Sequence, residues 1–315
     1  MKSDLTLSEA FELYRKDVIV YKNQSAKTEE MNRCAMKSIV DFLGDIPITE
    51  LDFDSVRKWS ANLRRTRTSN TVRGYILKIR VVLKHLRALG YEGILDPEAV
   101  GIPKRDSRVV DYLEVDEVQA MLHAVFQKGA GYSKFKRYRN RAMIALMFSA
   151  GLRNGELCSM ERTQIKDGID SFTVIGKGNK PRVCFIDPVT HRYIDEYLAL
   201  RDDPYPALFV SEQQKGREKI NPGVVQMVVK NAAIKAGLEK NIHPHTLRHS
   251  FATDLLRNNT NIVYVKELLG HASIQVTMTY THVVNEDLHQ IHRLKHTVVH
   301  AQTSRIRKVV KSRLF

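Results

Sequence analysis

The chain has 315 residues, about twice the usual length of one domain, which points to two domains joined by a linker. Its 50 Lys and Arg against 35 Asp and Glu leave a net charge of +15, a surplus that favours a polyanionic partner, nucleic acid first among them. A hydrophobic fraction of 43% with 27% charged residues excludes a disordered or collagen-like chain, and the longest near-apolar stretch, 142–152, is interrupted by Ser149 and Gly151 and is too short to span a membrane.

The first 14 residues place Asp4 and Glu9 where a signal peptide needs an unbroken apolar region, so a cytoplasmic protein is expected. A capping box at Thr6 and Glu9 opens a first helix with an apolar face of Ala10, Phe11, Leu13, Tyr14, Val18 and Tyr21. Further helices are predicted over 27–43, 54–65 and 70–89, with Gly44 and Gly90 as stops. From Arg57 to Arg87 the chain carries ten Lys or Arg and no acid, while Val72, Tyr75, Ile76, Ile79, Val82, Leu83 and Leu86 reserve one face of the last helix for a core. The cations therefore crowd onto the other face. Such a stripe also reads as a solvated surface, but solvated surfaces normally mix in acids, and Arg57, Arg64, Arg65, Arg67, Arg73, Lys84 and Arg87 are the candidate DNA contacts.

Residues 97–112, with two prolines, one glycine and little periodicity, read as a linker. Helices over 115–126 and 139–150 follow, then two short strands, 173–175 and 182–186, flanking the basic tip Gly176-Lys177-Gly178-Asn179-Lys180-Pro181. Asn221-Pro222 opens a helix that Gly237 closes, and helices over 246–257 and 262–269 come next. Ser273 can cap one more, carrying Met278 and Tyr280, before a basic tail from 293. Cys34, Cys158 and Cys184 are odd in number and far apart, which suggests reduced core thiols and no disulfide framework.

Three motifs occur in order: G-L-R-x-x-E-L from Gly151, H-x-L-R-H from His245, and L-G-H followed by Thr277, Tyr280 and His282. In this series, with the Lys177 hairpin between the first two, the sequence resembles the tyrosine recombinases, the phage integrase and Xer-type enzymes. It departs from their pattern at Leu113-Glu114-Val115-Asp116-Glu117, where the family usually has Leu-Thr-x-x-Glu.

The resemblance implies a mainly α fold with a small antiparallel β-sheet: a helical core-binding domain over 1–96, a linker over 97–112, an α+β catalytic domain over 113–292, and a tail over 293–315 that serves subunit exchange. It implies Arg153 and Arg248 as the arginine pair, Lys177 as the hairpin lysine, His245 and His271 as assisting histidines, Glu156 as the acid that steadies them and Tyr280 as the nucleophile. It implies a homo-tetramer on two double-stranded DNA duplexes carrying paired inverted repeats, with accessory proteins possible, and a nucleoid-associated location.

The residue chemistry agrees. Charge builds on two nonbridging phosphate oxygens during attack, and fork-shaped guanidiniums suit them. A tyrosine is ionised in only about one part in a thousand at pH 7, so Tyr280 needs a base, for which His245 is the natural group. The departing 5′ oxygen needs an acid, for which Lys177 on a hairpin is best placed. Taken singly, each residue also fits a structural role: Arg153 as a surface cation, Glu156 as its i, i+3 partner, Tyr280 as a half-buried aromatic. Structural roles are expected for His249 and His282, and packing and function compete for Thr277.

No metal or other cofactor is expected. His245 and His249 have zincin spacing, but Thr246 stands where the glutamate should be; the acids Asp111, Glu114, Asp116 and Glu117 lie at a helix start, where the helix dipole explains them, and no P-loop occurs. Two other functions compete with recombination: a type IB topoisomerase, which would act as a monomer, and a non-catalytic DNA-binding protein, which would have no use for the complete polar set.

Overall fold

The computed structural model describes residues 4–22, 24, 26–104, 111–127, 131–165, 168–176, 180–213, 216–271 and 273–278. Lys177, Tyr280, His282, the tail 293–315 and part of the expected linker lie outside the described residues. The chain divides into two compact units, 1–108 and 109–315.

Helices α1 (Leu7–Tyr14), α2 (Ala26–Leu43), α3 (Phe53–Arg64) and α4 (Ser69–Ala88) build the first unit. At the start of α1 the Glu9 amide donates to Thr6 Oγ1 at 3.3 Å and the Thr6 amide donates to the Glu9 carboxylate at 2.9 Å, the expected capping box. Asp52 caps α3 by accepting the Ser55 amide at 2.7 Å. Spacing by three and four residues buries Val72, Ile76, Ile79, Leu83 and Leu86 of α4 in one core with Trp59, which is fully buried and donates its indole N–H to the Ser38 carbonyl at 3.0 Å.

In the second unit α5 (Val115–Phe126), α6 (Lys134–Ser149) and α7 (Asn154–Ser159) lead to a hairpin of β1 (Ser171–Ile175) and β2 (Pro181–Phe185). Then come α8 (Pro188–Leu198), a hairpin of β3 (Val210–Gln213) and β4 (Gly216–Lys219), α9 (Pro222–Lys235), α10 (Pro244–Arg257), α11 (Ile262–Leu269) and the short α12 (Ile274–Thr277). Helix α6 is the axis of this unit: Phe135 and Ala142–Met147 are all buried, and the helix packs against α5, α8 and α10. Its buried Arg139 donates to the Val210 carbonyl at 3.0 Å, which joins α6 to β3. The β1–β2 register sets Val174 opposite Arg182 and Phe172 opposite Cys184, and these four residues are buried.

The chain is thus mainly helical, as expected, and among the described residues it has two small antiparallel sheets. Helix α6 begins five residues earlier than its apolar pattern suggests, because Ser133 caps it by accepting the Lys136 amide at 3.2 Å. Helix α10 begins at Pro244 because His243 acts as its cap, with Nδ1 taking the Thr246 amide at 3.3 Å. Where Glu114 replaces the family's threonine, the cap survives in part. The Glu114 amide donates to Glu117 at 2.9 Å, and the Glu114 carboxylate pairs with Arg257 at 2.6 Å. Among the described residues no helix is long and apolar enough to cross a membrane. Cys158 and Cys184 are buried, but Cys34 is exposed, which corrects the expectation of three core thiols.

The turn from α6 to α7 depends on Gly151. Its φ is +57°, and a Cβ there would lie 2.5 Å from Cδ1 of Phe251 on α10. Gly151→Ala should therefore lower unfolding stability by about 3 kcal/mol, strain and overpacking together, as measured by urea titration. An unchanged midpoint would show that the turn yields to the methyl group.

Candidate active site

Arg153 stands at the head of α7, directly after the Gly151 turn. Its amide donates to Glu156 Oε2 at 2.9 Å and its Nη1 to Glu156 Oε1 at 2.6 Å, while Nη2 reaches the Gly270 carbonyl at 3.2 Å. Arg248, on the second turn of α10, donates from Nη1 to the Gly151 carbonyl at 2.6 Å and from Nη2 to the Leu269 carbonyl. Its Nη1 lies 3.9 Å from Glu156 Oε2. The arginine pair and the acid expected from the sequence thus form one cluster.

A third guanidinium completes it. Arg182 of β2 donates from Nη2 to Glu156 Oε2 at 2.8 Å and to the Gly151 carbonyl at 3.3 Å, and from Nη1 to the Leu268 carbonyl. Three cations surround one carboxylate, a surplus of two positive charges that suits an anionic ligand. Sequence reasoning missed Arg182, although it left a signal. Arg182 sits on the same face of its strand as Cys184 and Ile186, and a charged residue in an inward apolar row needs a buried partner.

The carboxyl end of α11 supplies the remaining acceptors. Gly270 ends the helix at φ 60° in a Schellman turn, with the His271 amide donating to the Lys266 carbonyl at 3.1 Å and the Gly270 amide to Glu267 at 2.9 Å. The carbonyls of Leu268, Leu269 and Gly270 are met by guanidiniums, so cations stabilise the negative end of the helix. The turn carries His271, whose Nδ1 lies 3.0 Å from the hydroxyl of fully buried Thr277. Burial, and next the charges of Arg248 and Arg153, push His271 down to about 4. Burial, then His245 and His243, push His249 down to about 4. Both rings are neutral at pH 7.

His245 is exposed on the first turn of α10, three residues before Arg248. Gly176, the residue before Lys177, opens the turn of the β1–β2 hairpin, and a Cβ on it would be 3.7 Å from both Arg153 Nη1 and Glu156 Oε1. Lys177 itself and Tyr280, two positions past the last described residue Met278, lie outside the described residues. Among the described residues no group of three or more His, Cys, Asp and Glu side chains is placed to hold a metal ion.

On the first unit the basic stripe proves less bare than its sequence. Acids from outside the segment enter it: Asp54 pairs with Arg57 at 2.6 Å, Glu98 with Lys84 at 2.6 Å, and Asp96 with Arg87 at 3.2 Å. Arg73 donates to the Pro103 carbonyl at 2.5 Å. Arg64, Arg65 and Arg67 are exposed and have no ion pair among the described residues.

For Glu156, burial acts to raise the carboxyl, but hydrogen bonds and charge from Arg182 and then Arg153 outweigh it and hold the group below its ordinary range. Its contribution to stability is therefore present above the unfolded carboxyl pKa and is lost as pH falls through the lower folded value. His249 and His271 act in the same direction, since unfolded histidines take up protons below about pH 6.5 while the folded ones resist until about 4. Glu156→Gln should cost about 3–5 kcal/mol near pH 7, because buried guanidiniums lose their anion. It should also flatten the loss of stability below about pH 5 while leaving the histidine part between about pH 6.5 and 5. Urea midpoints from pH 4 to 8 measure both effects, and a variant with the parent's profile would remove Glu156 from the electrostatic centre.

Residues 111–287, more than half of the chain, match the phage integrase family. The tyrosine recombinase XerC of Alcanivorax borkumensis is 32% identical over 79% of this chain and 81% of its own length. The XerD enzyme of Staphylococcus epidermidis is 28% identical over 90% of this chain and 97% of its own. Among solved structures, the XerH site-specific recombinase bound to a palindromic difH substrate, a post-cleavage complex, shares the fold with a TM-score of 0.72 at 18% identity, covering 91% of this chain and 84% of that one. The resemblance carried by the motifs and the mainly helical architecture agree with these relationships, and the chain belongs to the phage integrase family, the tyrosine recombinases, enzymes that break and rejoin DNA.

Proposed function

We propose that the chain is a site-specific recombinase of double-stranded DNA in which Tyr280 is the nucleophile. The observation that carries this reading is the convergence of Arg153 and Arg248 on Glu156 and on the end of α11, whose last turn carries His271. The Tyr280 oxygen attacks the scissile phosphorus, and the bond from phosphorus to the 5′ oxygen breaks. A 3′-phosphotyrosyl end and a free 5′-hydroxyl result. The phenol proton passes to His245, and Lys177 protonates the departing oxygen. Arg153 and Arg248 take the charge that grows on the nonbridging oxygens. Neutral His271, with Nδ1 engaged by the Thr277 hydroxyl, keeps Nε2–H as a hydrogen-bond donor to the phosphate.

The phosphotyrosyl bond stores the cleavage energy, so a 5′-hydroxyl from a second duplex can attack it and reverse the step. Strand exchange then proceeds through a Holliday junction in a homo-tetramer on two duplexes with paired inverted repeats, with or without accessory proteins. In this reading residues 1–96 are the core-binding domain, 97–112 the linker, 113–292 the catalytic domain and 293–315 the element exchanged between subunits, and the protein works in the cytoplasm at the nucleoid. The XerH structure, a post-cleavage complex with a palindromic difH substrate, and the Tn1549 transposon integrase in complex with transposon right end DNA support a DNA partner.

Tyr280→Phe should bind duplex DNA as the parent does and form no covalent complex with a labelled suicide substrate on denaturing gels. Covalent product from that variant would remove Tyr280 as the nucleophile. Replacing Arg64, Arg65 and Arg67 with alanine should weaken binding to all duplexes and lower the log–log salt slope by about 0.9 per lost phosphate contact. Replacing Lys84 and Arg87 should lower it less, since Glu98 and Asp96 already neutralise them. Equal slopes for the parent and the first variant would return the stripe to a solvated face.

A further inference from the structure

Arg182 is a second deeply buried guanidinium of the cluster: its side chain is 6% exposed, beside 4% for Arg248 and 26% for Arg153. Its guanidinium meets the acceptors that hold Arg153 and Arg248. It shares Glu156 Oε2 with the Arg153 amide, shares the Gly151 carbonyl with Arg248, and takes the Leu268 carbonyl beside the Leu269 carbonyl that Arg248 uses. Its stem passes directly under the turn that carries His271, for a Cβ on Gly270 would lie 2.7 Å from Arg182 Cδ. The register fixes this placement. Arg182 pairs with Val174, next to the Ile175–Pro181 pair, and the Gly176 amide closes the hairpin on the Lys180 carbonyl at 2.8 Å.

We propose that Arg182 is a positioning residue for DNA cleavage: its guanidinium locks Glu156 to the carboxyl end of α11 and so sets the relative placement of Arg153, Arg248 and His271. This rests on the recombinase reading above. The fork geometry matters, because one side chain must serve a carboxylate and two backbone carbonyls on separate elements, and a lysine's single ammonium cannot span them as a planar group does. The charge matters too. The groups facing Glu156 are Arg153 from α7, Arg248 from α10, and Arg182 and Cys184 from β2; those facing His271 are Arg248, Arg153, Arg182 and His249. Removing the Arg182 cation takes an attraction from Glu156 and a repulsion from His271, so both groups would protonate at higher pH.

The experiment compares the full-length parent, Arg182→Met, Arg182→Lys and Tyr280→Phe. Each is measured for thermal melting, duplex binding, and the rate of covalent complex formation on a suicide substrate at saturating protein across a pH range that extends from below the acid limb of the parent up to pH 9. Arg182→Met should bind duplex like the parent yet cleave about 100-fold more slowly at saturation, as expected when reacting groups are misplaced by about 1 Å. The acid limb of its rate profile should move up by about one pH unit, the size expected for loss of a close opposite charge. Arg182→Lys should return the acid limb to the parent's position without restoring the rate. A merely structural arginine would instead lower the melting temperature and scale the rate equally at every pH, and that result, like parental cleavage in Arg182→Met, would overturn the proposal. If neither variant folds, Arg182 is a folding residue and the proposal falls. A parent that forms no Tyr280-dependent covalent complex would overturn the recombinase reading itself, which separates the two failures.

Discussion

A single buried carboxylate organises the second unit of this protein. Three guanidiniums on three separate elements would repel one another in a low-dielectric interior, and each would bear a desolvation cost of several kcal/mol without a partner. Glu156 offsets both costs at once, and its side chain is 4% exposed. Because Arg153 comes from the head of α7, Arg182 from β2 and Arg248 from α10, the carboxylate also acts as the joint between these elements. The backbone supplies the second shell of acceptors: the carbonyl of a left-handed glycine and the unsatisfied carbonyls at the end of α11.

The apolar packing explains why that joint is precise. Helix α6 is surrounded by core and delivers the chain to Gly151 in a fixed direction, and Phe251 of α10 closes over the turn at a distance only a glycine allows. Ser250, next to Phe251, accepts the Leu113 amide at 2.7 Å and donates its hydroxyl to the Thr246 carbonyl at 2.8 Å, which anchors the start of the unit to α10. The polar cluster is therefore held by interdigitated side chains, whose positions shift only at the cost of cavities or overlap. A site of this kind is preorganised before any substrate arrives, which is what transition-state stabilisation by fixed donors requires.

Much of this was legible in the sequence, and what was not has specific physical causes. Helices α4, α9 and α11 show apolar periodicity together with their own caps and stops, so local and tertiary signals coincide there. Helix α8 went unread although Asp187-Pro188 carries the same start signal as Asn221-Pro222, because its apolar face is sparse. The β3–β4 hairpin has polar strands with no alternation to detect. In the site, motif order picked out Arg153, Glu156, Arg248 and His271, which the fold brings together. Arg182 escaped because its partner lies 26 positions away, and only the pairing of β1 with β2 shows which way it faces. The acids that meet the basic stripe escaped for the same reason: Asp96 and Glu98 lie beyond the segment whose charges they balance.

The burial of two cysteines has a practical corollary for chemical labelling. Cys158 and Cys184 are pushed up to about 11 by burial, which keeps them as thiols at neutral pH, and Cys184 lies two residues from Arg182 in the floor of the site. Cys34 stands exposed on α2 in the other unit. Alkylating reagents react with accessible thiolates. The folded chain therefore presents one exposed thiol at which a fluorophore or crosslinker can be attached, remote in sequence from every residue of the arginine cluster, with no cysteine to be replaced beforehand.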